Sequence, residues 1–513
     1  MRTKKIALNV LSSIILHLVN TLASLVVRKI FIQYIGADVL GINSVYSNIL
    51  SFLALSELGL GTTVAVCLYK PLAEQDYVSV SAYMGFLKKV YCIIGIVILG
   101  MGLAVMPFVP YIITTDKENA YIYISFFLYL CSVAFSYFFS YKKILLYADQ
   151  KAYIYQIISI ASKLVLNIGF AATIIAFRNY YIYLLVSLIC TLGENFAVTI
   201  AADRQYKLAN CKGRGLTKEE YRVIIDKLKG ILCFSLGRWM VTSTDNIIIS
   251  AFIGTIHVTF YTNYYLIINM LDAIFSNFAS NISASMGNLI YTSRERFKSA
   301  FNKIIIIQHF LFSISTSGFI VLATEFVGGY FGEESVLDAP IVICMGIVYY
   351  INGFSNGLES VRKAFGLFEQ DKFFNLFSPI LNIIISVYGA KHWGIIGVLF
   401  GTIVCWIINK VIVLTWVLKK YVPEFSRGAY SAYLLGSIGV TSLLTYVEIL
   451  ICERINISSW FAEILIKGVV IVSMGILINI LLLGRTKEFR ELVNSFSNKR
   501  RRSAIGEFGD KMK

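Results

Sequence analysis

Charge is scarce in this chain. Asp, Glu, Lys and Arg make up 15% of its 513 residues, against about 25% in soluble domains. Hydrophobic runs fill nearly the whole length and leave no room for a large soluble domain. Histidine is rarer still. His17, His257, His309 and His392 show no H-E-x-x-H or other ligand spacing. The nine cysteines contain no C-x-x-C, and most lie in apolar runs, where a free Cys acts as a small hydrophobe. These patterns offer no structural metal site. No D-x-D occurs and the longest outer loop is expected at about 325–338, which argues against a membrane glycosyltransferase or polymerase.

What is abundant is apolar: 57% of residues. A helical span needs about 20 such residues. Fourteen stretches qualify: 6–35, 39–67, 90–113, 120–146, 152–177, 180–202, 230–253, 257–291, 303–324, 339–361, 373–390, 394–418, 429–449 and 460–484. The basic start followed by an apolar run resembles a signal peptide. The run continues well beyond an h-region, without a convincing cleavage site, so it reads as the first span.

The net charge of +16 invites a nucleic-acid reading, but the cations lie in every second loop. With the N-terminus in the cytoplasm, 36 Lys and Arg fall in cytoplasmic segments. Four fall outside, at Lys117, Arg178, Lys391 and Arg454, and six lie within spans. That is the positive-inside pattern. It predicts a multi-pass membrane protein with both termini cytoplasmic.

An internal repeat organises the spans. "YIGADVLGINSVYSNILSFL" (34–53) aligns with "FIGTIHVTFYTNYYLIINML" (252–271), so that Ile35-Gly36 meets Ile253-Gly254 and Tyr46 meets Tyr264. "LYADQKAY" (146–153) resembles "LFEQDKFF" (367–374) at nearly the same offset. The offset covers six spans, an even number, so the copies share orientation, as in parallel transporter repeats. The expected fold is all-α: two pseudo-symmetric six-helix lobes, 1–202 and 230–418, then two added spans in 419–484. A cytoplasmic linker fills 203–229, and a basic tail, 485–513, carries "NKRRR" as an anchor on anionic lipid. In the linker, Thr217 and Glu220 fit a capping box that opens a helix with one apolar side. That helix suits the membrane surface or an ordinary tether.

Charges at bilayer depth are costly and need a cavity, a partner or an escape. In the first span, Asn9, Ser13, His17, Asn20, Ser24 and Arg28 follow helical steps along one face. Arg28 therefore belongs to a polar stripe that can line water, while Lys29 has an apolar face behind it and can snorkel. Arg28 lies near the outer end, so snorkelling stays open for it too. In the seventh span Ser235, Arg238, Thr242 and Asp245 share a face, with Arg238 about mid-bilayer. The eighth offers Asp272, and the fifth carries Gln156, Ser159, Lys163 and Asn167 on one side. Arg238 paired with Asp272 or Asp245 is the structural alternative. Glu359 has Arg362 and Lys363 nearby, and Glu463 and Lys467 form an i,i+4 pair, so these look locally neutralised. Glu57 and Lys410 stay open. Cations from both lobes suit an anionic ligand, and Arg suits phosphate best.

"YIGADVLGINSVYSNILSFLALSELGLGTTVAVCLYKPLAEQD" (34–76) resembles the polysaccharide flippases of the MOP superfamily, the Wzx-type O-antigen or capsule repeat-unit transporters. "STDNIIISAFIG" (243–254) resembles the start of their second lobe. The resemblance implies alternating access between two lobes and no cofactor. The implied cargo is a polyprenyl diphosphate-linked glycan, moved to the outer leaflet of a bacterial plasma membrane. Arg28 and Arg238 map onto cavity cations, with Lys163, His17, Asn20 and Ser24 beside them. H+ or Na+ coupling through Asp245 or Asp272 is implied by relatives. Multidrug exporters of the same superfamily are the alternative.

Overall fold

A computed structural model describes residues 19–53, 60–206, 214–222, 224–225, 243–292, 294–365, 367, 370, 372–422, 425–484 and 489–490. These residues are helical almost throughout. In chain order the helices are α1 (19–34), α2 (Ala37–Leu53), α3 (Leu60–Ala73), α4 (Tyr77–Val105), α5 (Asn119–Ser140), α6 (Lys143–Ala148), α7 (Ala152–Phe177) and α8 (Tyr180–Tyr206). Then come α9 (243–252), α10 (Thr255–Thr292), α11 (Arg294–Phe331), α12 (Ala339–Phe354), α13 (Asn356–Ala364), α14 (Lys372–Trp393), α15 (Ile395–Tyr421), α16 (Arg427–Cys452) and α17 (Trp460–Leu483).

Among the described residues, nine helices are long and apolar enough to cross a membrane. They fall on nine of the fourteen expected spans. A described helix lies on each of the other five: α1, α2 with α3, α9, α10 and α14. The polytopic helical fold is therefore as expected. Several helices outrun their apolar stretch. α11 covers Arg294–Phe331 rather than 303–324, so Arg296, Lys298 and Lys303 sit on helix, not loop. α4 begins at Tyr77, where the Asp76 side chain caps the Ser79 amide at 3.1 Å, and it carries Lys88 and Lys89. Polar side chains interrupt the apolar stretch without interrupting i→i−4 hydrogen bonding.

The chain divides into two compact units: 1–262 with 386–398, and 263–385 with 399–513. In the first, α5 packs on α4 and α8, and α7 on α8. α1 meets this group through Phe31, whose ring lies edge-on to Tyr180 at 5.9 Å and to Tyr183 at 5.1 Å. Tyr183 stacks on Phe170 at 4.0 Å. In the second unit, α11 is the central helix, with α12, α16 and α17 around it.

The repeat is legible in backbone detail. Gly36 and Gly254 both hold positive φ, at 113° and 124°. The Gly36 N–H reaches the Phe31 carbonyl at 3.1 Å, and the Gly254 N–H the Ile249 carbonyl at 3.0 Å. Glycine is needed because an L side chain strains that backbone. Tyr46 donates to the Ile122 carbonyl at 2.9 Å, near the start of α5. Its repeat partner Tyr264 accepts from the Leu337 amide at 3.1 Å, just before α12.

The linker capping box is formed. The Glu220 carboxylate accepts from the Thr217 amide at 2.8 Å, and the Thr217 hydroxyl from the Glu220 amide at 3.3 Å. This helix rests on α4: Ile224 is buried, Tyr221 lies edge-on to Phe86, and Arg214 donates to the Ser79 hydroxyl. Half of the Tyr221 surface stays exposed, 51%. The helix therefore has a protein-facing side and a free side.

Candidate functional site

A polar cluster gathers where the two glycine turns meet. Asp38 opens α2, and Thr255 opens α10. The Asp38 carboxylate accepts from the Thr115 hydroxyl at 2.5 Å and from the Thr255 hydroxyl. The Thr255 amide donates to the Thr114 carbonyl at 3.2 Å. Around them, Ser250 donates to the Ile112 carbonyl at 3.0 Å, Thr114 to the Ala251 carbonyl at 3.2 Å, and Thr259 to the Ala37 carbonyl at 2.5 Å. The carboxylate thus sits in the first turn of its own helix and at the start of another. Both positions favour negative charge.

The helices approach too closely for side chains between them. A Cβ at Gly41 would lie 1.8 Å from the Thr255 carbonyl oxygen. The α2–α10 contact is backbone against backbone.

Arg28 belongs to this junction. Its Nη2 donates to the Thr259 carbonyl at 3.1 Å and to the Thr262 hydroxyl at 2.5 Å. The guanidinium is thus held on the first turns of α10. Three residues along α1, the Phe31 ring packs against Tyr180 and Tyr183. The two adjacent cations differ: the Arg28 side chain is bonded to α10, and Lys29 is exposed.

The other sequence candidates are placed as follows. Asn20 is half-buried, and Ser24 is exposed with its hydroxyl on the Thr21 carbonyl. Leu22 and Val26 are exposed too, so α1 is open on more than its polar stripe. Lys163 is half-buried on α7, one turn beyond the buried Ser159 and two beyond the buried Gln156. Asp245 is buried and accepts from the Tyr261 hydroxyl at 3.3 Å. Asp272 is half-buried on α10, beside Tyr349. His17 and Arg238 lie outside the described residues, as does Glu57. The structure brings Arg28 to the start of α10; it places Lys163 on a separate helix, α7.

The blander charges resolve into ion clusters. Glu359 binds Arg362 at 3.0 Å, as its spacing implied, and also Lys410 at 2.7 Å. Lys410 reaches it from a π-helical stretch of α15, Ile407–Val413, with its ammonium over Trp406 at 5.1 Å. Lys467 binds Glu463 at 2.7 Å and, across helices, Glu325 at 2.6 Å.

The polar junction around Asp38 was not anticipated. Its only sequence signal is that Asp38, two residues after Gly36, has no acidic counterpart in the second copy, where Ile256 stands.

No protein-family model matches the sequence, and no curated protein matches it. Solved structures do. The lipid II flippase MurJ, in an inward closed conformation, is similar at a TM-score of 0.69 and 14% identity, over 95% of this chain and 100% of that one. An inward-facing multidrug resistance MATE family transporter of the MOP superfamily is similar at 0.67 and 13%, over 79% and 95%. A MOP superfamily transporter from Pyrococcus furiosus, described by the reverse polarity of its binding pocket, is similar at 0.57 and 14%, over 81% and 95%. The chain has the fold of the MOP transporters: a polytopic helical membrane protein.

Proposed function

We propose that this chain is a transporter of the MOP class, not an enzyme. In this reading it is a Wzx-type flippase that carries a lipid diphosphate-linked oligosaccharide across the bacterial plasma membrane by alternating access. The observation that carries the reading is coverage. The likeness to a lipid flippase extends over 95% of the chain, whereas the inward-facing multidrug transporter leaves about a fifth unmatched. A chain with extra membrane helices suits a cargo with a long lipid tail.

In this proposal the lobes are 1–202 and 230–418, both termini are cytoplasmic, and the Asp38–Thr255 junction closes the outer side. Opening that side breaks the hydrogen bonds of Asp38 and releases Arg28 from Thr259 and Thr262. The freed fork can then take a phosphate oxygen. Arg28 and Arg238 are the principal cavity cations, with Lys163, His17, Asn20 and Ser24 near the path and Asp245 or Asp272 available to H+ or Na+.

The test is complementation of a strain lacking its own repeat-unit flippase. The chain should restore surface glycan, Arg28→Lys should lose much of that activity, and Lys29→Gln should keep most of it. Drug resistance without glycan export would favour the second reading, a multidrug exporter, which the TM-score of 0.67 to a MATE transporter supports.

A further inference from the structure

The last two helices, α16 and α17, pack on α11. Along α11, His309, Ser313 and Ser317 recur every four residues and are wholly buried. They share one face. α16 sets Glu448 against this face, and α17 sets Asn479, both wholly buried as well.

Neither carboxyl oxygen of Glu448 has a hydrogen bond of normal geometry. Ser317 is the hydroxyl beside it. That hydroxyl donates to the Ile314 carbonyl at 3.1 Å. A serine oxygen can accept as well as donate, so while its hydrogen stays on the Ile314 carbonyl a protonated Glu448 carboxyl can donate to it. The charged and titratable groups on the helices packed here are Glu325 and His309 of α11, Lys467 and Glu463 of α17, and Cys452 one turn along α16, where Lys467, Glu448 and Glu325 all act on Cys452. Lys467 is held by Glu325 and Glu463. No described cation lies at ion-pair distance from Glu448, and an unpaired buried carboxylate is disfavoured.

The polar file continues. The Asn479 amide donates to the Ser313 hydroxyl at 3.1 Å. His309 Nδ1 meets the Tyr350 hydroxyl at 3.2 Å, while its Nε2 lacks a hydrogen bond of normal geometry and has Asn479 nearby. From His309 to Glu325, α11 runs about 24 Å, most of a hydrocarbon core of about 30 Å. The Glu325 side chain, at the far end, is 41% exposed.

We propose that Glu448 is a proton-binding site and that His309 is the second protonatable group of the same buried file. The proton sits on a carboxyl oxygen and donates to Ser317 Oγ. On release the carboxyl O–H bond breaks, its electron pair stays on the carboxylate, and the proton passes to water entering the file; uptake is the reverse. Intramembrane chains of Glu and His are the usual proton relays. Use of this proton to drive transport rests on the transporter reading; proton binding itself does not.

Infrared spectroscopy of the full-length protein in lipid bilayers tests it. The C=O stretch of a protonated carboxyl is followed over roughly pH 5–9, a range burial can bring a Glu into. The wild type should show a band that fades as pH rises. Glu448→Gln, nearly isosteric, should delete it, and His309→Gln should move its midpoint by about one pH unit, a tenfold change in proton affinity. If Glu448→Gln does not fold, Glu448→Asp should keep the band with a displaced midpoint. A band that survives Glu448→Gln, a band that never titrates, or no band at all overturns the proposal. Loss of glycan export with an intact titrating band would instead overturn the flippase reading.

Discussion

Gly36 and Gly254 make the same backbone turn at the same step of the repeat, and the two turns are joined through Asp38 and Thr255. Each glycine N–H caps a carbonyl five residues back. The junction is therefore built from one motif used twice, with one acidic side chain added in the first copy.

Either glycine replaced by alanine strains its turn. A cost of about 1–3 kcal/mol is expected for each Gly→Ala change at such φ. No heavy atom would lie within 4 Å of a Cβ at Gly36. Its effect should therefore come from backbone strain alone, and appear as a lower unfolding temperature in detergent. An unchanged melting curve for Gly36→Ala would count against this account of the turn.

The Ala37–Thr259 contact supplies a lock. With Ala37→Cys and Thr259→Cys on a Cys-free background, oxidation should crosslink α2 to α10. Glycan export should stop and return on reduction. Full export from a completely crosslinked population would mean that this junction does not open during the cycle. Asp38→Ala, which removes the shared acceptor, should slow crosslinking.

Glu359 holds two cations, Arg362 and Lys410. Removing it by Glu359→Ala leaves like charges facing each other in a buried place, at a cost of about 3–5 kcal/mol. Lys410→Met should cost less, because Arg362 still neutralises Glu359. Folded yield by size-exclusion profile reads the order, and equal loss in both variants would contradict it.

The linker clip should respond to pH. Hydrogen bonds from Arg214 hold the Glu220 carboxyl below the ordinary carboxylate value. The folded state thus favours its charged form. The clip contributes fully above the unfolded value of about 4.3 and is lost as pH falls through the lowered folded value. Spin labels on Glu219→Cys and Val78→Cys should stay close at neutral pH and separate on strong acidification. Arg214→Ala should move that separation to higher pH.

Much of this architecture was readable in advance, for a physical reason. A lipid-facing helix must satisfy its backbone internally and present apolar side chains, so span positions are written in composition. The shared Ile-Gly of the repeat was readable because only glycine takes that turn easily. The capping box at Thr217 and Glu220 was local and therefore legible. Interhelical partners were not. Lys410 with Glu359 and Lys467 with Glu325 join helices far apart in sequence, and spacing along one helix says nothing about which neighbour arrives. Asp38 was missed because its partners, Thr115 and Thr255, are common polar residues in two separate segments. Glu448 was passed over within an apolar span, although Ser437, Thr441 and Glu448 share one face of α16 with Cys452 beyond them.

The π-helical stretch at Ile407–Val413 has a further meaning. There the Leu414 amide reaches back to Asn409, one residue farther than in an α-helix. Such a bulge accommodates one inserted residue, so α15 reads as a regular helix with a single amino acid added near Lys410. Deleting one residue there would let the stretch close into ordinary pitch, and the helix on either side would keep its facing, because the bulge had absorbed the extra residue. Val417 and Leu418 would stay packed, while the side chains within the stretch, Lys410 among them, would be re-aimed. In this helix the added residue sets where one cation points.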